Sequence, residues 1–209
     1  MATTASPYGL IPVKNADGSP YSGARDAFEI ASGLANNIAY GTLVKLDGGR
    51  IEVATGSGAD ATTNNFAVNG GGAAGVFVGC EYVNSVGQLI FDQLFPTGTT
   101  VPTGTKITAY VVTDPNVTYQ VQSTGSIADT AIGQNCTFST AQHATNAATT
   151  NVTTKKSVMA VGAAQTATAG FKIVGMVDRP GSTAGDAKTD VLVKINAPYH
   201  LFGTGVVSE

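Results

Sequence analysis

Between Phe171 and Asn196 the chain reads FKIVGMVDRPGSTAGDAKTDVLVKIN, two alternating runs joined by a turn-rich link. Phe171, Ile173, Gly175 and Val177 fall on one face of the first run, and Val191, Val193 and Ile195 on one face of the second. A repeat of two belongs to strands, because successive side chains point to opposite sides of a sheet. Apolar residues also occur on the other faces of these runs, which predicts central strands of a sandwich or barrel. Three further pairs of strand-like runs bracket turn sequences: Leu43 to Leu46 and Ile51 to Val53 around DGGR, GVFVGCEYV and QLIFDQLF around NSVG, and KITAYVV and VTYQVQ around TDPN. Each reads as a hairpin. Helical signals are confined to STGSIADTAIGQN, where Ser126 is placed to cap a turn from Ile127 to Ile132 before Gly133 ends it. The expected fold is all-β, an antiparallel sandwich or small barrel with long loops and an extended N-terminal arm.

That arm is assigned to residues 1–26, and a single β-rich domain to 27–209. Proline fixes φ and removes an amide donor, so Pro7 and Pro12 favour an extended segment over an internal strand. The apolar set Tyr8, Leu10, Ile11 and Val13 gives the segment something to dock with. Long loops are expected near 55–75 and 139–170, where small polar residues dominate.

Chemistry is sparse. Charged residues make up 12% of the 209, the formal net charge is −3, and the longest basic run is Lys155-Lys156, which excludes an electrostatic footprint for nucleic acid. No stretch has the length or apolarity of a membrane span or of a signal-peptide core, so synthesis in the cytoplasm is expected. On that basis the Asn-x-Thr sequons at Asn116, Asn135 and Asn151 are chance matches, and Cys80 and Cys136 are expected to be buried free thiols. Neither cysteine lies in a Cys-x-x-Cys pair and His143 and His200 are far apart, which gives no metal set. Gly70 to Gly75 spells G-x-G-x-x-G, but it precedes a strand where a dinucleotide site needs a helix. No cofactor is expected. His200, in APYHLFG, reads as part of an apolar terminal segment, and the acids are scattered singly. The absence of Trp weighs against a carbohydrate platform. In the link, Asp178, Arg179, Pro180, Gly185 and Asp186 have the residue types of turns, and they are assigned a structural role. No catalytic residue emerges, and the chain is not expected to be an enzyme.

Taken in order, YGLIPVKNADGSPYSGA, GVFVGCEYVNSVGQLIF, VVTDPNVTYQVQ, ADTAIGQN and FKIVGMVDRPGSTAGDAKTDVLVKIN resemble the head decoration, or cement, proteins encoded beside the major capsid gene of tailed bacteriophages. The resemblance covers about residues 7 to 200. It implies a β-rich homotrimer on the outer capsid surface of the virion, holding neighbouring major capsid subunits together, with no catalytic residues, nucleic acid or membrane involved. With it, Pro7, Tyr8, Leu10, Ile11, Pro12 and Val13 become the candidate capsid-contact arm. A tail or fibre component is the alternative within the virion; a carbohydrate-binding or glycan-active protein is the alternative of another class.

Overall fold

A computed structural model describes residues 5–54, 72–138, 150, 151 and 153–203, and the chain is all-β. The first half supplies β1 (Ile11–Lys14), β2 (Asp26–Ile30), β3 (Ile38–Ala39), β4 (Leu43–Asp47), β5 (Arg50–Val53), β6 (Gly75–Val83), β7 (Leu89–Asp92) and β8 (Leu94–Phe95). The second half supplies β9 (Ile107–Val112), β10 (Thr118–Gln122), β11 (Asn135–Phe138), β12 (Thr150–Asn151), β13 (Lys156–Ser157), β14 (Val161–Gln165), β15 (Phe171–Met176) and β16 (Asp190–Ile195).

One sheet closes on itself. Its order is β4-β5-β2-β9-β6, and β4 pairs back onto β6 through Leu43↔Val76 and Val44↔Gly75. The result is a five-stranded barrel filled by Ile30, Val44, Ile51, Phe77, Ile107 and Val111. β6 is long enough to offer the remainder of that edge to β7, whose own outer edge carries no partner strand among the described residues. The other large sheet is open and antiparallel, in the order β1-β10-β16-β15-β11-β14. Its inner face presents Tyr119, Val121, Phe171, Ile173, Val191 and Val193 to a core that also takes Leu43, Val76 and Val112 from the barrel strands. These three alternate with the barrel-filling Val44, Phe77 and Val111, so the open sheet packs against the outer wall of the barrel formed by β4, β6 and β9. Each fully enclosed aliphatic or aromatic side chain at that contact contributes about 1.5–3 kcal/mol relative to exposure.

The β4–β5 turn follows from its sequence. Gly48 and Gly49 have φ of 53° and 79°, the two positive values of a type I′ hairpin turn, with Asp47 opposite Arg50. The β6–β7 and β15–β16 pairs also form as expected, and both β15 and β16 are central strands. The third expected hairpin does not form. The turn at Asp114 is present, with Val117 N donating to its carbonyl at 3.2 Å, but β9 pairs with β2 and β6 while β10 pairs with β1 and β16. A turn signal fixes a reversal of the chain and leaves open which sheet receives the next strand. Here the chain changes sheets.

Two other expectations are corrected. The helix reduces to a 3-10 turn at Asp129–Ala131, and the Ser126 hydroxyl donates to Gly185 O at 2.8 Å, leaving no side-chain cap at this turn. Within 139–170, where a loop was expected, β13 and β14 form, the latter pairing with β11 despite its run of small residues. Residues 55–71, which include the first two glycines of the G-x-G-x-x-G segment, and His143 lie outside the described residues, while Gly75 at the end of that segment opens β6, a strand as expected. The N-terminal segment includes a strand. Pro12 is accommodated because β1 is an edge, where the missing amide costs no ladder bond on its outer side.

Candidate functional site

The arm and the turn, 170 residues apart in sequence, meet on the outer face of the open sheet. In β10 and β16 the core takes Tyr119, Val121, Val191 and Val193, so alternation turns Gln120, Gln122 and Asp190 outward. Ser6 N donates to Gln122 Oε1 at 2.8 Å, and Gln120 Nε2 donates to the Tyr8 hydroxyl at 2.9 Å, which lays residues 6–8 across that face. From the other side the Arg179 guanidinium pairs with Asp190 Oδ2. Asp190 is thereby 1% exposed although it sits on an outer face. Among the described residues its Oδ1 has no hydrogen-bond partner, and burial followed by the Asp190 charge pushes the Tyr8 hydroxyl pKa above its ordinary value. Arg179, Tyr8, Gln120 and Lys156 line a cleft of about 370 Å³.

The rest of the link is turn structure. Arg179 N and Ser182 N donate to each other's carbonyl oxygens at 3.0 and 2.9 Å around Pro180 and Gly181. Asp186 Oδ2 accepts from Thr183 N at 3.0 Å, and Gly185 N donates to Ile127 O at 2.8 Å. Asp178 is not part of the ion pair; the carboxylate engaged is Asp190, at the start of the next strand.

The candidate arm residues divide. Leu10 is fully enclosed in this chain's own core, which removes it as an outward contact. Its amide donates to Gly41 O at 2.9 Å, while Gly9 N donates to Met159 O at 3.2 Å. Gly9 and Gly41, with φ of 78° and 84°, allow this approach: a Cβ on Gly9 would stand 2.7 Å from Ser157 Cβ, and one on Gly41 2.9 Å from Leu10 N. Ile11 and Pro12 are half-buried, and Val13 is exposed at the sheet edge.

The cysteines and the described histidine are structural. Cys80 and Cys136 are free and buried, the first among barrel residues and the second beneath the open sheet. Burial pushes both thiols up to about 12, and at Cys80 the nearby Asp92 carboxylate adds to the effect. That opposes thiolate formation. His200 is fully enclosed, and its Nδ1 accepts from Phe202 N at 3.2 Å.

Sequence reasoning missed one surface. Val86, Leu89 and Phe91, on the β6–β7 hairpin, are 75%, 58% and 67% exposed. Leu89 and Phe91 share one face of an edge strand, and Val86 stands in its turn. QLIFDQLF is legible as a strand; its exposure depends on β6 taking it as a sheet margin, which periodicity does not encode. Beside Phe91 lies a cleft of about 490 Å³ in which Arg25 stacks 4.3 Å from the Tyr110 ring centroid and Lys155 Nζ meets Asp92 at 2.7 Å. No protein-family model, curated protein or solved structure matches this chain.

Proposed function

We propose that this chain is a head decoration protein of a tailed bacteriophage. It binds the outer capsid surface, as a homotrimer, and cements contacts between major capsid subunits. The observation that carries this reading is the row of Val86, Leu89 and Phe91 on an edge hairpin. Exposed apolar side chains on a strand whose outer edge is unpaired are a liability in a free monomer and an asset where another subunit covers them. The resemblance of the ordered sequence blocks to cement proteins supplies the kind of subunit. Repetition then adds strength: a trimer touching several capsid subunits gains effective concentration for every contact after the first. Binding the mature lattice in preference to opened states stabilises it by mass action.

The test is a quantitative protein census of purified virions with the native mass of the isolated chain. The reading expects copies at the stoichiometry of the capsid lattice and a mass of three chains. Tail-like stoichiometry would move the protein to the tail, and absence from the particle would overturn the reading.

A further inference from the structure

Ladder register on the open sheet gathers lysines that are far apart in sequence. Lys172 of β15 and Lys194 of β16 are direct cross-strand partners, so both side chains leave the same face. The same row continues through Thr118 of β10 to Lys14 of β1, and on the other side to Asn135 of β11. Like charges directly opposite on neighbouring strands are destabilising. Among the described residues neither Lys172 nor Lys194 has a salt bridge. Lys194 Nζ instead donates to Asn116 Oδ1 at 3.0 Å, and the carboxylate of the adjacent turn, Asp114, accepts from Asn116 N at 2.8 Å.

This pair opens onto a cleft of about 480 Å³ lined by Pro115, Asn116, Lys172, Lys194, Asn196 and Phe202. Its walls are fixed. Asn196 Nδ2 is committed to Asn135 Oδ1 and Ala169 O at 3.1 and 2.6 Å, and the half-exposed Phe202 stacks on Phe28 with ring centroids 6.3 Å apart. The clefts beside Phe91 and beside Tyr8 differ in their charges. Arg179 is already paired with Asp190, and Lys155 with Asp92. Among the described residues, Lys172 and Lys194 face each other across this cleft with no carboxylate bound to either.

We propose that this cleft binds an oxyanion, a phosphate or carboxylate group, held between the ammonium groups of Lys172 and Lys194 with the ligand's organic part against Phe202 and Pro115. The inference goes beyond the capsid reading and does not rest on it. An anion between the lysines turns their repulsion into two charge-assisted hydrogen bonds, the stronger class of such bonds. A like-charge pair with no carboxylate on either member among the described residues is the kind of local conflict that functional sites retain.

The experiment is calorimetric titration of the full chain, in chloride buffer, with inorganic phosphate and with a capped tetraglutamate peptide. It is run on the wild type, Lys172→Gln, Lys194→Gln and the control Lys106→Gln, whose site lies on the barrel, with circular dichroism to verify folding. Saturable binding is expected, weakened about tenfold or more by either cleft substitution, since a hydrogen bond to a charged group contributes about 1.5–3 kcal/mol. The control should bind as the wild type does. Without ligand, Lys172→Gln should melt about 1–2 °C higher than the wild type, and phosphate should raise the wild-type Tm more than the variant's. Tighter binding of the peptide identifies a protein segment as the source of the anion, and tighter binding of phosphate a phosphorylated compound; either supports the site. No saturable binding of either probe, or binding that Lys172→Gln leaves unchanged, overturns it.

Discussion

Asp190 shows how one side chain ties two distant segments together. Its carboxylate is enclosed on an outer face only because Arg179 and residues 6–8 roof it, so removing Arg179 leaves a buried charge without its cation. Arg179→Met should cost about 2–3 kcal/mol, below the usual figure for a fully buried pair because the arginine is half-exposed; urea unfolding measures it. Asp190→Asn in the same background should restore part of the loss. His200 sets a pH dependence. Burial holds its pKa down to about 4 from 6.5, with the Asp114 charge opposing and Lys194 reinforcing. Between those values the unfolded chain binds a proton that the folded chain refuses, so stability should fall as pH drops from about 6.5 to about 4, by about 3 kcal/mol at most. Unfolding midpoints across that range should vary less in His200→Gln. Little of this was legible beforehand: Arg179 was recognisable as a turn residue, but its partner follows from β16 register. Lys172 and Lys194, 22 positions apart, become neighbours by the same route.

At the level of elements, the local signals that carried through were those that the turn itself enforces. Gly48-Gly49 dictates a tight reversal and β4–β5 follows. Asp114-Pro115 also dictates a reversal, yet β10 lands in a different sheet, because Tyr119 and Val121 find their core under β16 and not in the barrel. β14 escaped notice for the opposite reason: Gly162, Ala163 and Ala164 carry almost no intrinsic strand preference, and pairing with β11 supplies what propensity lacks. The all-β class was readable from period two, whereas the barrel closure at Leu43↔Val76 was not, since nothing local marks two strand ends as partners. The β6–β7 hairpin gives this scale its prediction. Leu89→Ser with Phe91→Ser replaces exposed side chains, so the isolated chain should change in stability by no more than about 0.5 kcal/mol. Association with capsids, measured by co-sedimentation, should fall at least tenfold; unchanged co-sedimentation would remove this hairpin as the contact.

For the molecule as a whole, residues 6–14 act as a clasp between the two sheets: Leu10 is held to Gly41 beside the barrel, and β1 lies along β10 of the open sheet. Deleting residues 1–14 should destabilise the chain by several kcal/mol, through loss of the Leu10 burial and of the edge pairing, and should bare the β10 edge. A two-step unfolding curve in place of one would show that the clasp couples the sheets; a single transition of unchanged midpoint would show that it does not. The pairing Ile11↔Gln120 also has a temporal side. A ribosome adding about 5–20 residues per second makes β1 many seconds before β10 leaves the exit tunnel, and β16 follows later still. The barrel strands β2, β4, β5, β6 and β9 are all made after β1 and before β10, and well before β16, so the barrel can close while the N-terminal segment still waits for the rest of its sheet. Pro7 and Pro12, which withhold amide donors from any passing strand edge, then serve the nascent chain as well as the finished one.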